Sequence, residues 1–450
     1  MAGKNPKRAA VDMLCDVLGA VGAKSRDALD MAALDSGLDA RDRAFVMEAA
    51  YGTVRYYYTL QWILEMFAKK PSGIPLKTRM NLCLGLYQLF FMRVPDWAAV
   101  NESVNMESRY RPLVNAVLRS ATRERESIEA RMKAERAALM DEKDPAKAAR
   151  MIGMLESYPE WMIKRWIERY GIVDAYELAR AGNAIPNITI RANVLANSRD
   201  ELLTGLRDAG IECEPTRVSP VGIRLGAGVT VGMLDAFRGR FMVQDEAAQL
   251  VGLLAAPRPG MRVLDACAAP GGKAAHMAEM MGDEGEVVAM DISARRVELM
   301  RSNFDQAGYE SVRAEVGDLL KLKDDHGFDL VLVDAPCSSI GVIRRNPDVK
   351  YRHRESDIKK FADKQYEILN ACAKLVKNGG VLVYCTCSIE PDEGTAVVGR
   401  FLSDNQKYEK ANRVGGIFDG NLIYTNSEIR TLPHRDAMDG FYAVALKRTG

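Results

Sequence analysis

Between positions 263 and 273 the chain reads Val263-Leu264-Asp265-Ala266-Cys267-Ala268-Ala269-Pro270-Gly271-Gly272-Lys273, an apolar start followed by small residues and two glycines. This pattern predicts a buried strand that turns into a helix, with backbone passing close to a ligand. Taken alone, an ordinary glycine-rich turn explains the run equally well. The run matches neither the G-x-G-x-x-G fingerprint nor a P-loop, which argues against a dinucleotide or a nucleoside triphosphate.

Further apolar runs follow at 287–290, 312–316, 330–333 and 381–384, each followed by polar or glycine residues and helical spacing. Strands that alternate with helices indicate a doubly wound, Rossmann-like α/β sheet. Acidic residues stand at three successive strand ends, Asp291, Asp318 and Asp334. A single aspartate at such a place is more often a helix cap, but carboxylates at one sheet edge can bind a ribose and its base.

Thiols follow the fourth and fifth strands of this sheet, at Cys337 and Cys387. A free cysteine is usually buried filler, and Cys385 lies on the same strand face as Cys387, so the two are easily confused. The position at the strand end and the serine that follows favour Cys387 as a nucleophile. The chain has eight cysteines and no C-x-x-C pair, so we expect neither structural zinc nor another metal.

The rest of the chain divides into two further segments. Apolar residues at spacings of three and four predict an all-α bundle over residues 1–140, with helix ends at 71–73 and 95–96. Mixed helical and alternating patterns predict a small α+β module over residues 150–250. The α/β sheet then occupies residues 251–450, which makes the protein multidomain.

The composition excludes several classes of protein. A net charge of +1 over 450 residues means that any contact with nucleic acid depends on local patches. The N-terminal run is interrupted by Asp12 and Asp16, so it predicts an amphipathic helix rather than a signal peptide. No apolar run approaches the ~20 residues of a membrane span. We therefore expect a cytoplasmic monomer with no membrane partner.

Three runs, DACAAPGGK (265–273), DAPCSSIGVIRRNPDVKY (334–351) and YCTCSIEPDEG (384–394), resemble in order and spacing the NOL/NOP/Sun family of RNA cytosine-5 methyltransferases. The runs at 42–64, 84–104 and 113–119 are similar to the NusB-like RNA-binding domain carried by RsmB-type bacterial members of that family. The runs at 241–251 and 436–448 also resemble this group. Essentially the whole chain is covered.

The resemblance implies S-adenosylmethionine as cofactor, methylation of carbon 5 of a cytosine, and structured RNA, specifically 16S rRNA, as substrate. It implies Cys387 as the nucleophile and Cys337 as the cysteine that helps to release the product. Ala266, Ala274, Cys385 and Gly394 depart from the family pattern, but none of them removes a thiol or a carboxylate. The implied cofactor-binding residues are Cys267, Ala268, Ala269, Pro270, Gly271, Gly272, Lys273, Asp291, Asp318 and Asp334.

Carbon 5 of cytosine is a poor nucleophile, so a thiolate must first add at carbon 6. Asp334 is the candidate acid at N3 of the base, provided that burial keeps its carboxyl group protonated. A cationic loop follows Cys337, and its position beside the predicted edge favours contact with RNA phosphates over an ordinary solvated face. The predicted RNA contacts are Arg344, Arg345, Lys350 and Arg352.

Three alternatives remain at the level of sequence. A DNA cytosine-5 methyltransferase would exchange the roles of Cys337 and Cys387, because those enzymes place the nucleophile after a proline. A transfer RNA could replace 16S rRNA as the substrate. A noncatalytic RNA-binding adaptor is the third alternative, and the retention of both thiols and of the carboxylates argues against it.

Overall fold

The computed structural model describes residues 5–19, 38–412, 423–425 and 427–450. They form two compact units. One unit comprises Met1–Ala184 together with Ile343–Glu355, and the other comprises Ile185–Val342 together with Ser356–Gly450. Within the described ranges, none of the helices is both long and apolar enough to cross a membrane.

The described part of the first unit is helical up to position 184, which extends beyond the predicted end of the all-α bundle at residue 140. The predicted helix ends are confirmed, because a 3-10 turn occupies Pro71–Gly73 and a helix begins directly after Pro95. A kink at Gly171 interrupts the last helix. The helices are α1 (Pro6–Leu18), α2 (Ala40–Arg55), α3 (Tyr57–Phe67), α4 (Leu76–Phe91), α5 (Asp96–Asn105), α6 (Arg111–Arg123), α7 (Arg125–Met140), α8 (Pro145–Glu156) and α9 (Glu160–Asn183).

A small α+β module opens the second unit and confirms the second predicted segment in its class. Its antiparallel sheet has the strand order Cys213–Pro215, Gly222–Leu225, Thr189–Ala192 and Phe241–Val243. The helix of the module starts with a capping box between Ser198 and Glu201. The elements are β1 (Thr189–Ala192), α10 (Arg199–Asp208), β2 (Cys213–Pro215), β3 (Gly222–Leu225), the 3-10 helix Val231–Phe237 and β4 (Phe241–Val243).

The large sheet follows helix α11 (Glu246–Ala255), which spans the predicted boundary at residue 250. Short 3-10 helices lie at Ile340–Val342 and Pro391–Glu393, and one-turn helices at Val349–Arg352 and Pro433–Asp436. The remaining elements are β5 (Arg262–Ala266), α12 (Gly272–Met280), β6 (Glu286–Asp291), α13 (Ala294–Ala307), β7 (Val312–Val316), β8 (Phe328–Asp334), α14 (Glu355–Ala373), β9 (Val376–Thr386), α15 (Thr395–Asp404), β10 (Tyr408–Lys410), β11 (Ile423–Thr425), β12 (Glu428–Thr431) and β13 (Phe441–Arg448).

The strand order of this sheet confirms the predicted α/β class. Strands β7-β6-β5-β8-β9 pair in parallel in that order, and β13 joins β9 in antiparallel orientation. Side chains alternate between the two faces, so Val263 lies in the core on one face and Leu264 in the core on the other. The order reverses beside β5, which is where open α/β sheets bind their ligands.

The segment 343–355 lies between β8 and α14 in sequence but belongs to the helical unit. Lys350 is only 1% exposed, and its ammonium group donates to the carbonyl oxygen of Arg55 at 3.0 Å and to Oδ1 of Asn183 at 2.6 Å. The same group lies 3.8 Å from the ring centroid of Tyr158. Burial, followed by the neighbouring charge of Arg55, lowers the pKa of Lys350.

This arrangement corrects part of the predicted RNA-contacting set. Lys350 and Arg344 are both buried, so neither side chain faces solvent, and Lys350 bonds to residues within the helical unit. Sequence alone could not show this, because the acceptors of Lys350 come from helices about 170 to 300 positions earlier in the chain. Arg345 and Arg352 are half-buried, and Arg352 forms an ion pair with Asp348. These two remain predictions.

A fully buried ion pair joins the α+β module to the large sheet. Arg191 on β1 donates to Oε1 of Glu279 on α12 at 2.6 Å, and both side chains have no exposed surface. Tyr309 donates to the same oxygen at 2.5 Å. Arg191 also donates to the carbonyl oxygen of Gly272 at 2.8 Å. The module is therefore bonded directly to α12, the helix that follows the loop after β5.

We expect Glu279→Ala to lower the free energy of unfolding by about 3–5 kcal/mol, because it leaves the Arg191 guanidinium buried without its carboxylate. Urea denaturation monitored by circular dichroism measures this. Asp235→Ala is the control, since it removes an exposed partner of Arg238 and should cost no more than about 1 kcal/mol. Equal losses in the two variants would contradict the assignment.

Candidate active site

The loop after β5 lies at the carboxyl edge of the sheet and is held by its own backbone. The N–H of Ala268 donates to the carbonyl oxygen of Met290 on β6 at 2.9 Å, and the N–H of Gly271 donates to that of Ala268 at 2.8 Å. Arg296 on α13 donates to the carbonyl oxygen of Ala269 at 2.5 Å. The small side chains predicted to bind the cofactor thus lie on a backbone fixed from two sides.

Gly271 is the position in this loop where only glycine fits. Its φ is +99°, and a Cβ atom there would lie 2.7 Å from the ring of Phe304. Gly272 differs, because a Cβ atom there would come no closer than 3.6 Å, to Gln244. Glycine at position 271 thus lets the ring of Phe304 pack directly against the loop backbone.

The three predicted carboxylates lie at strand ends, as expected. Asp291 ends β6 and is buried, with Oδ1 accepting from the N–H of Ser293 at 2.9 Å. Asp318 follows β7 and is half-buried. Asp334 ends β8. The fully buried Asp265 on β5 was not predicted, and burial together with the charge of Asp334 raises its pKa.

Lys273 forms an ion pair with Asp334, at 2.6 Å between Nζ and Oδ2. Burial opposes the charged form of Lys273, but Asp334 and the other acidic neighbours outweigh it and raise the pKa of Lys273. Asp334 therefore does not lie in the apolar surroundings assumed when it was predicted to act as a protonated acid, and that role remains a prediction.

The structure brings Cys337 and Cys387 together, with their sulfur atoms 3.2 Å apart. Cys337 lies in the loop after β8, and Cys387 is the first residue after β9. Both are half-buried, and Ser339 Oγ lies 3.6 Å from the sulfur of Cys387. The hydrogen bond with Cys387, together with burial, raises the pKa of Cys337. Cys337 therefore holds a proton that it can donate to the neighbouring sulfur.

Cys385 lies apart from this pair. It is fully buried on β9, and its sulfur lies 3.4 Å from Oδ1 of Asp334. Burial and the charge of Asp334 raise its pKa. A buried thiol with a raised pKa is a poor nucleophile. The departure from the family pattern at Cys385 thus places a neutral thiol beside Asp334 and does not add a competitor to Cys387.

The groups beneath the two thiols were not among the residues predicted from sequence. Ser338 and Ser388, each the residue after a thiol, both hydrogen bond to the buried carboxylate of Glu393. A serine directly follows each of Cys337 and Cys387, and this repeated pattern was the sequence signal that could have indicated the network. Across the described ranges, no group of three or more histidine, cysteine or acidic residues could hold a metal ion.

A Rossmann-like sheet with the strand order β7-β6-β5-β8-β9-β13, a loop of small residues after β5 and a thiol pair at its carboxyl edge define an S-adenosylmethionine-dependent methyltransferase. The comparisons with known proteins agree. The family model described as 16S rRNA methyltransferase RsmB/F matches residues 252–447, the NusB family matches 4–123, and the ferredoxin-like domain of RsmF/B-like methyltransferases matches 158–232.

The sequence similarity to relatives extends over nearly the whole chain. The probable ribosomal RNA small subunit methyltransferase B of Bacillus subtilis is 32% identical, with 92% of each chain covered. Ribosomal RNA small subunit methyltransferase B of Pseudomonas putida is 36% identical, with 89% of each covered. The crystal structure of PH0851 has the same fold, with a TM-score of 0.78, 24% identity and 99% of each chain covered. The chain belongs to the RsmB/F family of 16S rRNA methyltransferases.

We expect Gly271→Ala to lower the free energy of unfolding by about 2 kcal/mol or more, because it combines a positive φ with a steric clash. Gly272→Ala should change it by less than about 1 kcal/mol. Urea denaturation of both variants without cofactor separates this effect from ligand binding. A Gly271→Ala protein as stable as the Gly272→Ala protein would show that the loop relaxes freely.

Proposed function

We propose that the protein transfers a methyl group from S-adenosylmethionine to carbon 5 of a cytosine in 16S rRNA, with Cys387 as the covalent nucleophile. The observation that carries the proposal is the pair of sulfur atoms, 3.2 Å apart, at the carboxyl edge of a methyltransferase sheet. Family membership supports 16S rRNA as the substrate. A monomer working in the cytoplasm is part of the same proposal.

Cys387 starts the reaction. Its thiolate adds to carbon 6 of the cytosine, and the ring electrons move so that carbon 5 becomes enamine-like. After methylation, loss of the proton from carbon 5 regenerates the double bond and expels the thiolate. The target base must leave its stack to meet the sulfur, which favours a loop or another splayed element of folded RNA.

Cys337 is proposed to assist at the end of the cycle. Its raised pKa keeps it a neutral thiol beside Cys387, so it can supply a hydrogen bond to a developing thiolate. A departing Cys387 sulfur that receives such a hydrogen bond is a better leaving group. Removing Cys337 should therefore slow release of the methylated RNA without preventing the first addition.

The residues at the carboxyl edge fit S-adenosylmethionine, which when bound supplies the methyl group. The loop of small residues after β5 suits a ligand that approaches the backbone, and the Asp291 carboxylate lies where a ribose hydroxyl would donate to it. Asp318 would lie towards the adenine base of the cofactor. Lys273 orients Asp334 through their ion pair, so its proposed contribution to cofactor binding is indirect.

We predict that Cys337→Ala accumulates a denaturation-resistant protein–RNA adduct and that Cys387→Ala forms none. The measurement is gel electrophoresis under denaturing conditions after incubation with 16S rRNA and S-adenosylmethionine. Cys385→Ala is the matched control, because it removes a nearby thiol that should take no part in the bond. An adduct in Cys387→Ala but not in Cys337→Ala would reverse the roles, as in a DNA-type enzyme.

We predict that tritium from labelled S-adenosylmethionine enters 16S rRNA at least ~100-fold faster than it enters total transfer RNA, because recognition of folded RNA depends on its shape. Bisulfite sequencing of the labelled RNA then locates the 5-methylcytosine. Preferential labelling of transfer RNA would overturn the substrate assignment. No saturable binding of S-adenosylmethionine would instead favour the noncatalytic adaptor.

A further inference from the structure

A buried carboxylate lies beneath the two loops that carry the thiols. Glu393 belongs to the 3-10 turn Pro391–Glu393 after β9, and its side chain is fully buried. Its Oε2 accepts from the hydroxyl of Ser338 at 2.5 Å and from the hydroxyl of Ser388 at 2.5 Å. The two hydroxyl oxygens are themselves 3.2 Å apart. One carboxylate oxygen thus connects the loop after β8 to the loop after β9.

The second oxygen of Glu393 is bonded as well. Oε1 accepts from the backbone N–H of Ser338 at 2.8 Å and from Nε2 of Gln365 on α14 at 2.9 Å. Gln365 also donates to the carbonyl oxygen of Pro336 at 3.1 Å. The network therefore fixes the backbone on both sides of Cys337. We call Ser338, Gln365, Ser388 and Glu393 the serine–glutamate clamp.

The carboxyl group of Glu393 is buried, which makes its ionised form unfavourable. Burial raises the pKa of Glu393, and its hydrogen bonds from the two serines act against that rise. A buried carboxylate is costly unless its lone pairs are satisfied, and Glu393 receives donors from three separate segments of the chain. An apolar residue of similar size would often stabilise the fold as well or better. The carboxylate at this position is therefore better explained by the geometry that it imposes.

We propose that Glu393 is a positioning residue that sets the sulfur–sulfur contact of Cys337 and Cys387 by holding the adjacent serines on one carboxylate. Each serine directly follows a thiol, so a shift of either serine moves the neighbouring sulfur. This inference rests on the proposed role of Cys387 as nucleophile. The clamp acts on reactivity by keeping the Cys337 thiol within hydrogen-bonding distance of the Cys387 sulfur.

A purely structural role for Glu393 makes a different prediction. If the carboxylate only filled the interior, its loss would lower stability and leave the reactivity of Cys387 unchanged in the folded protein. Besides Glu393 itself, the ionisable groups on the elements around the thiol pair include Tyr384 on β9, Glu390 and Asp392 in the loop after β9, and the set of Cys385, Asp334 and Lys273. The variants below leave Tyr384 and that set intact, so a change in reactivity reports on the clamp.

The experiment measures the rate of alkylation of Cys387 by iodoacetamide between pH 6 and pH 10, with the modified peptide quantified by mass spectrometry on the full-length protein. Glu393→Ala removes the clamp. Glu393→Gln keeps its shape, because the amide oxygen can still accept from the Ser338 N–H and the amide nitrogen can donate to the serine hydroxyls. Asp392→Asn is the control, since it neutralises the preceding carboxylate of the same turn.

We expect the pH midpoint of alkylation to rise by about one unit in Glu393→Ala, because the Cys387 thiolate loses a hydrogen bond from Cys337. Cys337→Ala should show the same rise, and the two substitutions together should produce no further rise. Glu393→Gln and Asp392→Asn should keep the wild-type midpoint. Should Glu393→Ala fail to fold, Ser338→Ala and Ser388→Ala each remove one hydroxyl of the clamp and should raise the midpoint.

An unchanged midpoint in folded Glu393→Ala, or in both serine variants, overturns the proposal. A midpoint in Glu393→Gln raised as far as in Glu393→Ala also overturns it, since an amide of the same shape would then fail to hold the contact, and loss of the negative charge alone would lower the midpoint. The result of the alkylation experiment does not depend on the proposed function. Alkylation needs neither RNA nor S-adenosylmethionine, so the clamp can stand when the adduct test fails, and the adduct test can succeed when the clamp fails.

Discussion

The register between β8 and β9 is the constraint on which the site depends. Asp334 pairs with Cys385 at the end of this parallel ladder. Beyond that pair, the two chains leave the sheet side by side, and each delivers a thiol within a few residues. A slip of one residue would send alternate side chains to the opposite face. It would separate Asp334 from Cys385 and Cys337 from Cys387 together.

Three cysteines at one sheet edge are distinguished by their neighbours. Cys385 is sealed in the core beside a carboxylate, Cys337 is kept protonated by its partner, and Cys387 lies just outside the strand with a thiol donor beside it. Burial and hydrogen bonding thus give identical side chains different surroundings. The ion pair of Lys273 with Asp334 contributes by fixing the charge next to Cys385.

The strands of the α/β sheet and the positions of the strand-end residues could be predicted from sequence, because apolar runs and strand ends are local patterns. Asp265 and Glu393 could not be recognised, since their burial results from segments far apart in the chain. The buried position of Lys350 was missed for the same reason, as a cationic loop normally faces solvent. The predicted boundaries near residues 140–150 and 250 remain proposals, and the second falls inside α11.

The segment Ile343–Glu355 completes the interior of the helical unit although it is encoded far downstream. A gene fragment that ends at residue 184 would leave the oxygens that receive the Lys350 ammonium group without their donor. The helical region up to residue 184 therefore lacks part of its own interior when it is separated from the rest of the chain. A recombination event that replaced the helical region with that of a relative would preserve these hydrogen bonds only if it also replaced the segment Ile343–Glu355.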